Sequence, residues 1–307
     1  MPGYSILKNL GRFGFYHVLV AEDLALHKEV ALHVWMPGID PHRFLHEARI
    51  TAKLPHPGIP AVHVFGSFVD GFPILGLKQI SGSRLDEQVK YADRPRVLQA
   101  FLQACQAVGF AHSRGVIHRN IKPQNIQVGA SGEVQVVGWG LAKDLTAQQA
   151  VSTKRPVEPQ AHLGTDAVPD SSRSANTTDS ARVETATSEP ISGSPAYMPP
   201  EQAHGQFSDT RSDVFGLGAT LCDLLTGKPP YFGSRMIDII RLAANADLSE
   251  AYQRLNNCGA DMELVALCRS CLSADPERRP GNGWAVADWL KAYLDGEQRQ
   301  LRAAQHK

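Results

Sequence analysis

The stretch HRNIKPQN, residues 118–125, concentrates polar side chains whose types and spacing could do chemistry. Lys122 offers an ammonium for an anion, and Asn125 offers one neutral oxygen of the kind that Mg²⁺ accepts as a ligand. Asn120 lies between these residues and His118, and its amide cannot accept a proton from a hydroxyl as a carboxylate would. The stretch therefore favours the binding of a charged group over proton transfer at position 120.

Cys268 and Cys271 form a second candidate, a C-x-x-C spacing within LVALCRSCL. The spacing would suit a redox pair or half of a zinc site, but no second C-x-x-C and no paired histidine motif accompanies it. Apolar residues at positions 264, 267, 268, 271 and 272 follow a helical period, and cysteine packs as a small hydrophobe. We therefore predict a core helix here.

Composition and charge describe an ordinary soluble protein of 307 residues. Lys plus Arg and Asp plus Glu both number 31, so no net charge draws the chain to nucleic acid or to an anionic membrane. The N-terminal MPGYSILKNL lacks a signal-peptide pattern, and no apolar run is long enough to span a membrane. Five cysteines, an odd number, indicate a reducing compartment, and we expect a cytoplasmic protein.

Two kinds of secondary structure divide the chain. Alternating and β-branched residues predict strands in most of the first ~80 residues, with one helix at PHRFLHEARITAKL. A long amphipathic helix covers residues 97–115, where Gly115 is the stop signal, and two short strands follow at NIQV and EVQVV. From Asp209 onward the pattern is helical, and it predicts helices at SDVFGLGATLCDLLTG, MIDIIRLAA, MELVALCRSCL and WAVADWLKAYL.

Residues 146–192 differ from both halves. They contain no Phe, Trp or Tyr, and Ser and Thr recur throughout, as in SSRSANTTDSARVETATS. Such a segment buries too little apolar surface to offset the entropy lost on ordering. We predict a largely disordered insert, with a partly ordered surface loop as the alternative.

A series of short motifs runs along the chain in a fixed order. They are GRFGFYHV (11–18), VALH (30–33), Glu47 in FLHEARI, HPGIP (56–60), LKQI (77–80), HRNIKPQN, GWG (138–140), GSPAYMPPE (193–201), Asp213 and DPERRP (275–280). From about Tyr4 to Leu290 this order resembles the protein kinase superfamily, most of all the bacterial eukaryote-like Ser/Thr kinases.

The resemblance implies an α+β, bilobal fold. Residues 1–77 would form a small antiparallel β-sheet lobe with the αC helix, and residues 78–294 a larger, mainly helical lobe. The insert at 146–192 would interrupt the activation segment, and residues 295–307 would form a polar tail.

The positions that support the family's architecture are retained. The resemblance implies that Glu201 and Arg279 form a buried pair, that Asp213 braces the catalytic-loop backbone, and that His118 packs beneath Trp139. Charged groups are costly to bury without partners, so we expect these residues to meet in the folded lobe.

The positions that perform phosphoryl transfer are replaced. His33 stands for the strand-three lysine, Asn120 for the catalytic base and Gly138 for the metal-binding aspartate, although Glu47, Lys122 and Asn125 remain. An imidazole is short and mostly neutral at pH 7, and glycine cannot ligate a metal. We therefore expect no metal site and no required cofactor. His33 is interpreted as a core histidine bonded to Glu47, and a lysine supplied from elsewhere, Lys8 or Lys28, is the less favoured alternative.

The nucleotide pocket is altered as well. Phe13 and Tyr16 replace the second and third glycines of the loop, and we expect their rings to fold under it, where they would exclude a triphosphate. Gln127 replaces the aliphatic residue beneath the adenine. The pocket, if it is used, would consist of Gly11, Val18, Ala31, Leu77, Gln79 and Gln127. Its apolar residues leave weak, metal-independent ATP binding open.

These losses together predict a pseudokinase that acts as a scaffold or allosteric partner. We expect a protein partner, such as an active kinase or its substrate, with no nucleic acid and no membrane; the sequence leaves homodimer formation open. One alternative is a weak or unorthodox Ser/Thr kinase that depends on Lys122, Asn125 and Glu47. Another, compatible with the first, is a binding module regulated by phosphorylation of the insert.

Overall fold

The computed structural model describes residues 3–13, 16–36, 41–67, 71, 73–89, 92–146 and 192–305. The insert predicted from about Thr146 to Ser192 lies outside these residues, except for its two end positions. The interpretation of this segment as disordered or phosphorylated therefore stays a prediction.

The first lobe is a five-stranded antiparallel sheet with strand order β1-β2-β3-β5-β4. Its strands are β1 (Tyr4–Phe13), β2 (Tyr16–Asp23), β3 (Lys28–Trp35), β4 (Val62–Ser67) and β5 (Pro73–Lys78). The helix α1 (Pro41–Ala52) corresponds to the predicted αC helix. Phe44 and Ala48 of α1 pack against Leu75 and Leu77 of β5, which fixes the helix over the sheet.

The second lobe is mainly helical. Its helices are α2 (Leu85–Gln88), α3 (Arg94–Ser113), α4 (Pro200–Ala203), α5 (Thr210–Thr226), α6 (Met236–Ala244), α7 (Ser249–Asn256), α8 (Met262–Cys271) and α9 (Gly283–Gln305). Helices α3 and α5 are central and almost wholly buried along one side. Helix α9 crosses α3 at close range, where a Cβ on Gly283 would lie 2.5 Å from the backbone nitrogen of Gly109. The α+β fold with two lobes predicted from the motifs is confirmed.

Two small sheets hold the residues between the lobes. One joins β6 (Gly82–Arg84), β8 (Ile126–Gly129) and β9 (Val134–Val136), and the other joins β7 (Val116–Ile117) to β10 (Lys143–Asp144). All of these pairings are antiparallel. The catalytic-loop stretch 118–125 therefore leaves β7 and returns through β8, and both of its ends are fixed.

The ends of several helices differ from their predicted positions. Helix α3 begins three residues before Val97 because the side chain of Asp93 caps it, accepting a hydrogen bond from the backbone N–H of Arg96. The cysteine pair lies in α8, where Cys268 and Cys271 are fully buried, as the core-helix prediction required. Residues 295–305, predicted as a polar tail at a helix end, continue helix α9, in agreement with that prediction.

Candidate functional site

Asp213 holds the catalytic loop by its backbone. This residue lies in the first turn of α5, and its side chain is buried. Its Oδ2 accepts a hydrogen bond from the backbone N–H of His118 at 2.6 Å, and its Oδ1 accepts one from Arg119 at 2.7 Å. Arg119 has a φ of 66°, a left-handed conformation that is strained for a long side chain and that these two bonds stabilise.

His112 completes the support of Asp213 and was not foreseen from the sequence. Its Nδ1 accepts a hydrogen bond from the backbone N–H of Gly283, so its Nε2 carries the proton and donates to Asp213 Oδ2 at 2.9 Å. Burial would raise the pKa of Asp213, but the bond from His112 and the neighbouring donors outweigh it and lower that pKa. Asp213 therefore stays ionised inside the lobe.

His118 and Trp139 pack as edge and face, with ring centroids 4.6 Å apart. Both side chains are fully buried, and the indole N–H of Trp139 donates to the carbonyl of Val136 at 2.8 Å. The Nδ1 of His118 accepts from the backbone of Asn120, so its Nε2 donates to the carbonyl of Val137. The GWG stretch is thereby joined to the loop that starts at residue 118.

Glu201 and Arg279 form a bidentate ion pair with N–O distances of 2.8 and 2.9 Å. Ser212 donates to the same carboxylate, while the guanidinium also donates to three backbone carbonyls and lies over the Phe215 ring. The Arg279 side chain is 0% exposed, so its donors are met by protein and the charge is compensated.

The predicted bond between His33 and Glu47 is wrong. The Tyr16 ring stacks on His33 with centroids 4.4 Å apart, and the Tyr16 hydroxyl donates to Glu47 Oε1 at 3.1 Å. The Nδ1 of His33 is buried and has no hydrogen-bond partner among the described residues. A phenol therefore reaches the glutamate where the family's lysine would, because the shorter imidazole leaves room for the ring.

Burial shifts both His33 and Glu47 towards their neutral forms. It lowers the pKa of His33 to about 4 and raises that of Glu47 to about 7, although hydrogen bonds from Tyr16 and from the backbone of Trp139 oppose the second shift. Burial also raises the pKa of the Tyr16 hydroxyl, and Glu47 adds to that effect. Glu47 is only 1% exposed and anchors α1 to the GWG stretch. The Phe13 side chain lies outside the described residues.

The donor set at the phosphate end does not fit magnesium. Gly138 adopts a left-handed conformation with φ of 83°, and a Cβ there would lie 3.3 Å from the Asn125 amide. That amide nitrogen donates to the carbonyl of Asn120 at 2.8 Å. Among the described residues no three His, Cys, Asp or Glu side chains are grouped to hold a metal ion. Mg²⁺ requires near-octahedral oxygen ligands, and the residues here supply amides only.

A first cavity corresponds to the predicted nucleotide pocket. Val18, Ala31 and Leu77 give it an apolar side, and Gln79 and Gln127 line it as predicted. Leu10 lines it where Gly11 was expected. Gln135 was not foreseen; it pairs with Gln127 across β8 and β9, so two amide side chains meet in the cavity.

A second cavity lies beside the catalytic loop and contains most of the remaining site residues. Asn120, Lys122, Asn125 and Gly138 line it, and Tyr16 forms part of the wall of both cavities. Lys8 and Lys28, the substitutes considered for the lost lysine, have exposed side chains and line neither cavity.

No helix among the described residues combines the length and apolar character needed to cross a membrane.

Comparison with known proteins agrees with this geometry. Residues 4–166 and 171–290 match the protein kinase domain family. The chain is 31% identical over 288 residues to serine/threonine-protein kinase PknB of Mycobacterium tuberculosis, covering 90% of this chain and 40% of that protein. It is 33% identical over 310 residues to the DNA damage-responsive serine/threonine-protein kinase RqkA of Deinococcus radiodurans, covering 95% and 40%.

Serine/threonine-protein kinase PknD of Protochlamydia amoebophila is 27% identical over 314 residues, which cover 95% of this chain and 30% of that protein. The chain thus spans less than half the length of each of these relatives. With the family match covering nearly all of the sequence and the loop, helix and ion-pair geometry in place, the chain belongs to the protein kinase family.

Proposed function

We propose that this kinase domain is a pseudokinase, which transfers no phosphate and works by binding a protein partner. The observation that carries the proposal is the Tyr16–His33–Glu47 cluster, in which a phenol occupies the contact that the family's lysine makes with the glutamate. Phosphoryl transfer depends on cations that stabilise phosphate charge, and no side chain of this cluster is positively charged near pH 7.

Retention of the architecture supports a role as scaffold or allosteric partner. Asp213, the Glu201–Arg279 pair and the His118–Trp139 packing hold the catalytic loop and the described ends of the activation segment in a defined arrangement. A surface of fixed shape suits recognition by another protein, which we take to be an active kinase or its substrate. Pairing of two copies is compatible with this role. All five cysteines are free, which supports placement in the reducing cytoplasm.

Nucleotide binding, where it occurs, is proposed to be weak and independent of metal. The first cavity keeps an apolar side for a base, but Tyr16 stands at its phosphate end and no carboxylate replaces the lost metal ligand. Adenosine and ATP should therefore raise the thermal unfolding temperature by similar amounts, and addition of Mg²⁺ should not enlarge the ATP effect. A shift that requires both ATP and Mg²⁺ would contradict this part of the proposal.

The decisive experiment measures transfer of the γ-phosphate from labelled ATP to the chain itself and to degenerate Ser/Thr peptides, with Mg²⁺ or Mn²⁺ present. The double variant Lys122→Ala/Asn125→Ala is the matched control for a contaminating kinase. We expect no transfer above that control. Metal-dependent transfer by the natural chain, lost in the double variant, would overturn the proposal.

The second candidate is a weak Ser/Thr kinase, and one observation favours it. Lys122 and Asn125 line the second cavity together, and the Asn125 amide keeps the loop folded through its bond to Asn120. These are the family's retained phosphate and metal contacts. The same assay tests this candidate, since its residual turnover must depend on both side chains.

A further inference from the structure

The second cavity has an unusual charge for its position in the fold. Three cationic side chains line it, those of Arg12, Arg84 and Lys122, together with amides such as that of Asn120. None of its described lining residues is acidic. The family pattern would place one carboxylate at position 120 and another at position 138, and each replacement removes a negative charge. The cavity therefore attracts anions without a metal ion to neutralise it.

Lys122 is the central cation of this cavity. Its ammonium makes no hydrogen bond to any described residue, although the side chain is partly buried. Burial lowers the pKa of Lys122, and the charge of Arg84 lowers it further, while Asp86 opposes the shift. A cation held near another cation, with no bonded counterion, leaves its donors available to an incoming anion.

The two arginines differ in how firmly they are held. Arg84 is paired with Asp86 and Glu87 through its Nε and Nη2, at 3.1 Å each, and its Nη1 bonds to no described residue. Arg12 is exposed on β1, at the solvent side of the cavity. Arg84 thus offers an oriented donor fork whose charge is compensated, whereas the ammonium of Lys122 has no bonded counterion among the described residues.

The amide of Asn120 points to the same conclusion. Its Oδ1 is shielded from solvent and has no hydrogen-bond partner among the described residues. The two ends of an amide are nearly identical in shape, so a half-turn of the side chain would present its NH₂ group in that direction instead. Asn120 lines the second cavity, and an unmet polar atom in such a residue is consistent with a bound group nearby.

The position of Tyr16 selects the source of the anion. Its ring lines both cavities, stacked on His33 and bonded to Glu47. We expect this ring to hinder a nucleotide in the first cavity from extending its phosphates into the second. The second cavity has an exposed residue, Arg12, in its lining, and we expect a side chain of another protein to reach it there.

We infer that the second cavity is a metal-independent site for a phosphate monoester dianion, carried on a phosphorylated Ser or Thr side chain of a partner protein. Lys122 is its main ligand, Arg12 and Arg84 are auxiliary ligands, and Asn120 supports them. The inference rests on the proposed function and specifies its partner as the product of an active Ser/Thr kinase. A phosphate ester brings nearly two charges and three acceptor oxygens, which matches a cationic cavity rich in donors.

The test compares two degenerate peptide libraries with different isotopic labels, identical except for a phosphate on the central threonine. Immobilised chains are exposed to an equimolar mixture in EDTA at ~0.15 M salt, and retained peptides are counted by mass spectrometry. We expect the natural chain to retain the phosphorylated library at least ~10-fold better, since hydrogen bonds between charged groups are stronger than those between neutral groups. Lys122→Met, which keeps the aliphatic stem, should bring the ratio close to one, and the exposed control Lys291→Met should leave it unchanged.

Inorganic phosphate and ATP are then added as competitors, both in EDTA, to show whether the bound phosphate comes from a peptide or from a nucleotide. Displacement of the phosphopeptides by millimolar phosphate supports the site. Equal retention of the two libraries, or a preference that survives Lys122→Met, would overturn it. Lys122-dependent binding of ATP without any preference for phosphopeptides would also overturn it, because a nucleotide would then be the source. Should Lys122→Met fail to fold, the exposed Arg12→Ala must still reduce the ratio. Each of these results differs from detection of γ-phosphate transfer, which would overturn the proposed function instead.

Discussion

Two polar regions of this molecule contain carboxyl groups removed from solvent, and the two regions stabilise these groups differently. Around Asp213 and the Glu201–Arg279 pair, charges are retained, and each carboxylate receives several donors. Around Glu47, a carboxyl of equal burial has lost its cationic partner, and a phenol and a backbone N–H replace it.

The difference reflects what each region has to do. The first region ties Glu201, at the described end of the activation segment, and the catalytic loop to the large lobe, and an unpaired charge there would destabilise the fold. The second region lies where the family's lysine meets the glutamate, and in the absence of a lysine burial favours the neutral form of Glu47. The chain thus keeps ionic bonds in the first region, whereas in the second region the carboxyl of Glu47 has a phenol as its side-chain partner.

The largest expected effect comes from breaking the ionic region. Arg279→Met leaves Glu201 with Ser212 as its remaining side-chain donor and removes three donors to backbone carbonyls. We expect the free energy of unfolding, measured by urea denaturation, to fall by about 3–5 kcal/mol. Arg278→Met is the matched control, because that neighbouring side chain is 81% exposed and should cost under ~1 kcal/mol. Similar losses of unfolding free energy in Arg279→Met and Arg278→Met would show that the buried ion pair stabilises the fold no more than an exposed one.

The second effect is a pH dependence of the free energy of unfolding that arises in the Tyr16–His33–Glu47 cluster. The pKa of Glu47 is about 7 in the folded chain against 4.5 for the unperturbed group, so the folded state binds the extra proton between these values. The stabilising contribution of the protonated form is complete below about pH 4.5 and is lost as the pH rises through 7. His33 opposes this trend, since its lowered pKa makes stability fall as the pH drops from 6.5 towards 4.

Comparison with Glu47→Gln isolates the carboxyl, because His33 is present in both proteins. Between pH 4.5 and 7 we expect the natural chain to lose about 3 kcal/mol of unfolding free energy relative to the variant. Glu250→Gln, at an exposed position, should show no such slope. A difference that is constant with pH would mean that Glu47 ionises normally.

The third effect is smaller and concerns the phenol itself. Tyr16→Phe keeps the ring on His33 but removes the donor to Glu47 Oε1, so a buried acceptor loses a partner. We expect a loss of about 1–2 kcal/mol in unfolding free energy and a further rise in the pKa of Glu47. Tyr252→Phe serves as control, since that hydroxyl donates to no described residue. An unchanged stability would show that the hydroxyl bond contributes nothing.

The same contrast explains how much the sequence could predict. Architectural residues such as Asp213 and Arg279 were predicted because a buried charge requires a specific partner at a fixed place in the motif order. The contact of Tyr16 with Glu47 was missed because the side chain that fills a vacated space depends on packing between distant strands, which no local pattern encodes. His112 was missed for a similar reason, since its partner is 101 residues away.

Local patterns also fell short at one helix and one cavity residue. Helix α7, with the sequence SEAYQRLN, is short and largely polar, so only Ala251 and Leu255 are buried and the hydrophobic signal is weak. Gln135 belongs to a strand that was predicted, but its place in the first cavity follows from pairing with Gln127, a matter of register.

The smallest effect tests whether α1 depends on ions at its exposed end. Lys53 forms an ion pair with Asp144 of β10 at 2.9 Å, with the lysine side chain 60% exposed. The other contacts of the same helix, from the buried Glu47 to the Trp139 backbone and from His46 to the Ala142 carbonyl, should hold it without this pair. We expect Lys53→Met to lower the unfolding free energy by at most ~1 kcal/mol, and less at high salt, because exposed pairs are screened. If Lys53→Met lowered the unfolding free energy by more than ~2 kcal/mol, and by less at high salt, an exposed ion pair rather than the Tyr16–His33–Glu47 cluster would fix the helix over the cleft.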